Sequence, residues 1–221
     1  MPPRPTKPDW CRCKKRPCLC AELSLWDAGF SYVAGVDEVG RGPLAGPVVA
    51  AAVVLPQGVP SRRLAGVRDS KALTPLARAR AVVRIRRHAL AIGIGAASAV
   101  EIDRLGITVT VRLAMQRALA RAGRRCEINH VLVDGHPIRE LGHPQTSIIR
   151  GDHHCLSIAA ASVIAKEVRD HLMRRLALRH PAFGWERNAG YGTRTHQQAL
   201  REYGPTAHHR RSFGAQRELP W

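Results

Sequence analysis

The sequence contains no apolar run that approaches the roughly 20 residues of a membrane-spanning helix. Its first residues, MPPRPTKPDW, carry positive charge, but no apolar stretch follows them, so the pattern of a secretory signal is absent. We therefore expect a cytoplasmic protein without a membrane partner. The 221 residues are 45% hydrophobic, which is enough for one full domain, with or without an appendage.

Several common binding and catalytic motifs are also missing. There is no P-loop and no G-x-S-x-G nucleophile elbow. The glycines at 40–46 have the wrong spacing for a dinucleotide fingerprint, and G-I-G at 93–95 lacks the third glycine. The histidines are scattered along the chain, so a histidine-based metal site has little support.

Acidic residues are scarce. The chain has 17 Asp and Glu against 35 Lys and Arg, a formal net charge of +18. A surplus of this size suits a polyanionic partner, most simply nucleic acid, although a general bias toward arginine would also produce it. Residues 61–90 contain nine basic residues and one acid, Asp69, and this local basic region favours nucleic acid.

The six cysteines are unevenly placed. Cys126 and Cys155 stand alone in the sequence, which predicts reduced thiols in the core. The other four lie within ten residues near the start: Cys11, Cys13, Cys18 and Cys20. Their spacing, C-x-C-x4-C-x-C, differs from the paired CxxC knuckles of zinc ribbons. We predict that residues 1–22 form a basic N-terminal extension, either a small zinc site or a flexible, proline-rich tail.

Strands and helices alternate along the rest of the chain. Predicted strands cover residues 33–37, 47–55, 90–97, 131–134 and 146–150. Predicted helices cover residues 21–29, 73–89, 108–122, 155–179 and 195–203. The turn GPLAGP between the first two strands favours an antiparallel hairpin. In the longest helix Ile164, Val168, Leu172 and Leu176 recur every four residues, a stripe that predicts core packing.

Acidic residues close three of the predicted strands, each near a glycine. They are the pair Asp37 and Glu38, then Asp134, then Asp152. Strand ends with short loops are where α/β sheets assemble sites, so we expect the four carboxylates to converge. Their charges repel unless cations neutralise them, and oxygen-only ligands select hard ions such as Mg²⁺ or Mn²⁺. The set would suffice for two ions about 3.5–4 Å apart, as in two-metal phosphoryl chemistry.

One geometric condition accompanies this prediction. Neighbouring strand residues point to opposite faces, so Asp37 and Glu38 reach one site only if the chain twists or turns at Glu38. Gly40 would permit such a turn. For Asp134, which precedes a glycine, an ordinary turn role is an equal alternative.

Several motifs, in order, resemble the bacterial ribonuclease HII family over about residues 31–214. They are DEVGRGPLAGPVVAAAVVL at 37–55, DSKAL at 69–73, VLVDG at 131–135, RGD at 150–152, SIAAASVIAKEVRD at 157–170 and AGYGT at 189–193. The resemblance implies a ribonuclease H-like fold, an α/β domain with a mixed five-stranded sheet flanked by helices and a helical C-terminal segment.

The activity implied by this resemblance is that of a metal-dependent hydrolase. The enzyme would cut RNA in RNA–DNA hybrids and incise duplex DNA 5′ to single embedded ribonucleotides, leaving a 3′-hydroxyl and a 5′-phosphate. Such cutting would remove misincorporated ribonucleotides and RNA primers. We expect the enzyme to act as a monomer with Mn²⁺ or Mg²⁺ as cofactor.

The resemblance also assigns roles to residues of this chain. The metal-binding acids of the family match Asp37, Glu38, Asp134 and Asp152. The backbone that reads the ribose 2′-hydroxyl, the group that separates RNA from DNA, matches Gly40, Arg41 and Gly42. The tyrosine that packs at the junction ribose matches Tyr191.

Further motif residues have two interpretations each. Lys71 and Lys166 are candidates for phosphate contacts, and Lys166 could equally be a helix-surface lysine. Ser70 either touches the phosphate backbone or caps a turn. HHRRSF at 208–213 resembles the family's HR-x-SF, in which Phe213 is predicted to anchor in the core and Arg210 to serve either substrate or structure.

Two departures and two alternatives remain. Arg150 stands where lysine is commoner in the family, and Ala72 replaces a second lysine, but neither change touches the acids. A non-catalytic basic nucleic-acid-binding protein would explain the charge but not the acids. Another ribonuclease H-like enzyme, such as an integrase or resolvase, would share the carboxylates but not G-R-G and G-Y-G-T together.

Overall fold

A five-stranded mixed sheet organises the computed structural model, which describes residues 16–213. The strands are β1 (Val33–Val39), β2 (Val48–Val54), β3 (Ala91–Ala97), β4 (His130–Asp134) and β5 (Gln145–Ile148). Their order across the sheet is β3-β2-β1-β4-β5. The pairs β1–β2 and β2–β3 are antiparallel, whereas β1–β4 and β4–β5 are parallel. The predicted mixed sheet and hairpin are therefore confirmed.

Eight α-helices accompany the sheet in the part of the chain that the structure describes. They are α1 (Cys20–Asp27), α2 (Pro75–His88), α3 (Ala99–Leu105), α4 (Ile107–Ala122), α5 (Gly151–His154), α6 (Leu156–Arg179), α7 (Trp185–Asn188) and α8 (Arg194–Tyr203). Every predicted helix and strand is present, with ends within two residues. Between residues 16 and 213, no helix combines the length and apolarity needed to cross a bilayer.

The sequence interpretation missed three short helices, α3, α5 and α7. Helix α3 carried a readable signal, because Ser98 and Glu101 form a capping box at its start. The four-residue helices α5 and α7 are too short for a hydrophobic period to show.

Helices cover both faces of the sheet. On one face, Val36 and Ala50 join Val111, Met115 and Leu119 of α4. On the other face, residues of β2 pack against α2 and α6. Helix α6 approaches β1 closely because residue 35 is glycine, since a Cβ there would lie 2.2 Å from the backbone of Ser157. This close approach brings α6 next to the carboxyl-terminal end of β1.

The predicted apolar stripe of α6 is only partly correct. Ile164 is buried, but Val168, Leu172 and Leu176 are partly exposed at the edges of two clusters. In the second half of the helix the buried positions are Arg169, Met173 and Ala177. The helix therefore turns a stripe containing a charged residue toward the C-terminal helical segment.

Residues just before the predicted boundary at residue 22 contact the rest of the fold. Cys18 donates its backbone N–H to the His154 carbonyl at 3.1 Å, and its carbonyl accepts from Leu156 N–H at 3.0 Å. Leu19 and Ala21 are buried. Cys11 and Cys13 lie outside the described residues, so the zinc site and the extension over residues 1–15 stay predictions.

Glu22 caps the amino-terminal end of α6 from a distant part of the chain. Its Oε1 accepts the Ser157 backbone N–H at 2.7 Å and the Cys155 thiol at 3.2 Å. The carboxyl group is fully buried, and burial raises the pKa of Glu22 above its ordinary 4.5. A buried cap of this kind ties the N-terminal helix to the helix that follows Asp152.

Replacing Glu22 tests this cap. Glu22→Ala leaves the buried Ser157 N–H without an acceptor and should lower the free energy of unfolding by about 1–3 kcal/mol. Glu22→Gln keeps an acceptor oxygen and should cost less. Because the folded-state pKa is raised, the stabilisation from the protonated group is fully present below pH 4.5 and is lost as pH rises through that pKa.

Denaturant unfolding at several pH values measures both effects. The stability of Glu22→Gln relative to the unmodified protein should increase as pH rises from 4.5, since glutamine carries no charge to bury. A pH-independent difference would contradict the raised pKa.

Candidate active site

Parallel pairing of β1 with β4 brings two of the predicted acids to one edge of the sheet. The last paired residues are Val36 and Val133, and Asp37 and Asp134 follow them directly. The third acid, Asp152, lies in α5, which begins at Gly151. Asp134 Oδ1 accepts the Gly151 N–H at 2.6 Å, so the start of α5 is tied to the end of β4.

The electrostatics show that these carboxylates influence one another. Burial raises the pKa of Asp37 well above its ordinary 3.8, and the charges of Glu38 and Asp134 raise it further. Burial and the charge of Asp134 also raise the pKa of Asp152. Asp37 is 6% exposed. The three aspartates therefore form a cluster whose negative charges are held together at a cost.

The turn that was the predicted condition for Glu38 to join Asp37 at one site is absent. No turn occurs at this residue, because β1 continues to Val39 and Glu38 pairs in register with Ala50. Asp37 and Glu38 thus alternate between the two faces of the strand. The Glu38 backbone N–H donates to Asp37 Oδ1 at 2.7 Å, and Arg41 Nη1 donates to Glu38 Oε1 at 3.1 Å.

Two residues beside Asp152 escaped the sequence interpretation. His153 Nε2 lies 3.7 Å from Asp69 Oδ2 and 3.9 Å from Asp152 Oδ1. One ligand atom from each of these three residues lies within 4.8 Å of the others. Among residues 16–213, the four predicted acids do not meet that spacing. The signal for Asp69 was present, because it is the single acid of the basic region 61–90.

The two glycine motifs meet at the surface beside β1. Arg41 and Gly42 are exposed at the start of the loop that joins β1 to β2. A Cβ on Gly42 would lie 3.7 Å from Tyr191 Cε1, an ordinary contact, and would meet nothing closer in the described chain. Tyr191 is 46% exposed. The structure therefore places Gly42 next to Tyr191, five residues along the chain from Asp37.

Gly40 has a different environment from Gly42. Its φ is +96°, which L side chains rarely adopt, and a Cβ there would lie 2.2 Å from Arg169 Nε. Gly40 is therefore required by the fold itself. Since nothing inside the fold requires glycine at Gly42, the open space beside Tyr191 is available to a ligand.

Three further residues were predicted to contact the phosphate backbone: Lys71, Ser70 and Lys166. Lys71 stands near the acids, because its charge lowers the pKa of Asp152. Ser70 is buried, and its hydroxyl lies 3.0 Å from that of Ser162 on α6. Lys166 Nζ donates to Asp170 Oδ1 at 2.7 Å. Their contacts with phosphate stay predictions.

The donor set fits a divalent metal ion. Asp37, Asp134 and Asp152 offer only carboxylate oxygens, which hard ions such as Mg²⁺ and Mn²⁺ prefer. Burial first, and the charges of neighbouring carboxylates second, raise the pKa of Asp37 and Asp152, and a bound cation would offset both costs. Glu38 lies on the other face of β1 from Asp37, so its place in the set stays a prediction.

The fold and the acidic edge define a ribonuclease H-like protein, and comparison with known proteins agrees. The ribonuclease HII family model matches residues 34–216. Ribonuclease HII of Synechococcus sp. (strain JA-3-3Ab) is 54% identical over 204 residues, which cover 92% of this chain and 91% of that protein.

Solved structures show the same fold. Ribonuclease HII of Archaeoglobus fulgidus, determined in a complex with PCNA, superposes with a TM-score of 0.69 at 25% identity, covering 83% of this chain and 95% of that one. Bst-RNase HIII, determined with Mn²⁺, has a TM-score of 0.62 at 22% identity, covering 85% and 68%.

The chain belongs to the ribonuclease HII family, whose members are endoribonucleases acting on RNA in RNA–DNA hybrids. The structure and the family agree with the expected ribonuclease H-like fold. Membership in an enzyme family also favours a nuclease over the non-catalytic binding protein that charge alone would allow.

Removing one charge from the acidic cluster should stabilise the metal-free protein. Asp37→Asn abolishes a buried carboxylate that repels its neighbours, while its side-chain oxygen can still accept from Glu38 N–H. In EDTA at pH 8 we expect the free energy of unfolding to rise by about 0.5–2 kcal/mol. Mg²⁺ or Mn²⁺ should raise the melting temperature of the unmodified protein more than that of the variant. An equal shift in both would contradict metal binding at Asp37.

Alanine should destabilise the protein much more at Gly40 than at Gly42. Gly42→Ala should stay within about 1 kcal/mol of the unmodified protein, because its Cβ enters open space. Gly40→Ala should lose about 1–3 kcal/mol or more, because it combines a positive φ with overlap at Arg169. Denaturant unfolding measures both, and a Gly42→Ala loss as large as that of Gly40→Ala would be evidence against the open space.

Proposed function

We propose that this protein incises duplex DNA on the 5′ side of a single embedded ribonucleotide, and cuts RNA in RNA–DNA hybrids, leaving a 3′-hydroxyl and a 5′-phosphate. The observation that carries the proposal is the contact of Tyr191 with Gly42, in the loop that directly follows β1, the strand that carries Asp37 and Glu38. A site for one ribose then adjoins a site for phosphodiester hydrolysis. In the cell such incision would begin the removal of misincorporated ribonucleotides and of RNA primers.

Asp37, Glu38, Asp134 and Asp152 are the proposed ligands of Mg²⁺ or Mn²⁺. Bound divalent ions would supply an activated water and neutralise charge on the leaving oxygen. Burial fixes Asp37 at the end of β1, and the Gly151 N–H holds Asp134 at the end of the neighbouring strand β4. The raised pKa of Asp37 and of Asp152 supports this arrangement, because neighbouring carboxylates add to the effect of burial at both.

The ribose would be recognised by backbone and ring together. An exposed backbone can donate hydrogen bonds to a 2′-hydroxyl, the group that DNA lacks. A glycine at 42 lets the sugar approach the chain, and the exposed Tyr191 ring offers it a flat surface. A sugar without the hydroxyl would leave those donors unpaired, which is how a polar site rejects the smaller substrate.

Basic side chains around the acids would hold the phosphates. Arg41 is exposed beside Glu38, and Lys71 is close enough to lower the pKa of Asp152. Cations next to metal-binding acids can position a polyanion without contributing sequence preference. This accounts for a basic surface on a protein whose proposed active site is acidic.

Cleavage of a defined duplex tests the proposal. The substrate is a labelled DNA duplex with one ribonucleotide, incubated with Mg²⁺, Mn²⁺ or EDTA. We expect one metal-dependent cut, 5′ to the ribonucleotide, with a 3′-hydroxyl that a polymerase can extend. Asp37→Asn and Asp134→Asn should each lower the rate at least about 100-fold, because each removes a proposed ligand.

Two controls separate the alternatives. An all-DNA duplex of the same sequence should remain intact, and Gly42→Ala should lose activity on the ribonucleotide duplex while keeping its fold. Cutting of both duplexes would favour a less selective ribonuclease H-like nuclease. Tight binding without cutting under either metal would contradict the catalytic role of the acids.

A further inference from the structure

Two buried arginines hold the β1–β2 loop (residues 40–47) from inside the protein. Arg169 lies in the middle of α6, and Arg210 follows α8, yet both guanidinium groups reach the same loop. Each residue is fully buried, with no exposed surface. Within residues 16–213, neither guanidinium lies within 4.0 Å of a carboxylate oxygen. Their partners are backbone carbonyls instead.

Arg210 contacts the part of the loop that faces the proposed site. Its Nη2 donates to the Gly40 carbonyl at 2.6 Å, and its Nη1 donates to the Arg41 carbonyl at 2.9 Å. Its Nε and Nη2 both donate to the Gly46 carbonyl, at 3.0 and 2.8 Å. The Arg210 guanidinium group therefore connects the start of the loop, at Gly40 and Arg41, to its end at Gly46.

Arg169 contacts a different part of the structure. It donates to the carbonyls of Ala45 and Pro47, at 3.1 and 2.9 Å, and to that of Ala189, at 2.9 Å. It joins the end of the loop to the segment before Tyr191. It makes no hydrogen bond to Gly40 or Arg41, which makes it a matched comparison for Arg210.

The Arg210 contacts determine which way the N–H groups of Arg41 and Gly42 point. In a trans peptide the C=O of one residue and the N–H of the next point in opposite directions. The carbonyls of Gly40 and Arg41 point inward to Arg210, so the N–H groups of Arg41 and Gly42 point outward. Neither N–H donates to an acceptor within the described chain, and both residues are exposed.

We propose that Arg210 is a positioning residue that sets the selectivity for ribose, by holding the Arg41 and Gly42 N–H groups ready to donate to the 2′-hydroxyl. The inference rests on the proposed function, because it deepens the recognition of that hydroxyl. A loop free to rotate its peptide planes would lose entropy on binding, whereas a preset loop would not. In this role Arg210 serves both alternatives, because it holds the backbone that would contact the substrate without touching the substrate itself.

Arginine is the side chain best suited to hold three backbone carbonyls at once. The planar guanidinium presents five N–H donors in a fixed fork, and Arg210 uses it on three carbonyls at once. Lysine keeps the charge but has one donor centre, so it can hold one or two of these carbonyls. Arg210→Lys therefore preserves charge and removes geometry.

The test compares Arg210→Lys with Arg169→Lys in an Asp37→Asn background that does not cut. Affinity is measured for two duplexes of identical sequence, one with a single ribonucleotide and one of DNA alone. We expect Arg210→Lys to lower the ratio of the two affinities about tenfold, mostly by weaker binding of the ribonucleotide duplex. Arg169→Lys should lower the melting temperature with a smaller change in the ratio.

The outcomes are distinguishable. If Arg210→Lys folds and keeps the unmodified ratio, Arg210 has only a structural role and the inference is wrong. If the parent protein itself shows a ratio near one, recognition of the 2′-hydroxyl fails, and with it the proposed function.

A second measurement covers the case in which Arg210→Lys does not fold. Amide hydrogen exchange of the Asp37→Asn protein should show Arg41 and Gly42 protected by the ribonucleotide duplex and much less by the DNA duplex. Equal protection by both duplexes would overturn the inference without any change at Arg210.

Discussion

The parallel pairing of β1 with β4 is the contact on which the candidate active site depends. It ends at Val36 and Val133, so that Asp37 and Asp134 leave the sheet side by side. Everything else at this edge is built against that pair. Helix α6 lies close to β1 because Gly35 has no side chain, and α5 is tied to β4 through the Gly151 N–H. The fold thus holds like charges together that would separate in solution.

Behind the β1–β2 loop the buried charges are positive, in contrast to the acidic edge of the sheet. There the buried groups are the cations Arg169 and Arg210, and burial lowers the pKa of Arg210 to about 9. Carbonyl dipoles, not carboxylates, satisfy these guanidinium groups. An acidic edge and an inwardly braced loop therefore stand next to each other, the first suited to metal ions and the second to a sugar.

Motifs and periodicity predicted most of the architecture because both are local. The hairpin of β1 and β2, the cap of α2 at Thr74 and the end of α6 before Pro181 all follow from residues adjacent in the chain. The stripe of α6 was predicted less well. Hydrophobicity favoured Val168 and Leu172, but the more deeply buried Arg169 is charged, so an apolar pattern could not reveal it.

The sequence by itself determined the strands and helices, the order of the motifs and the four acids, since each depends on side-chain type and short spacing. Only the tertiary structure decided which distant groups meet. Glu22 caps α6, Asp69 stands beside Asp152 and His153, and Arg210 reaches Gly40 and Arg41. These contacts join residues far apart in the chain, and their energy comes from burying polar groups with partners that no local pattern can specify.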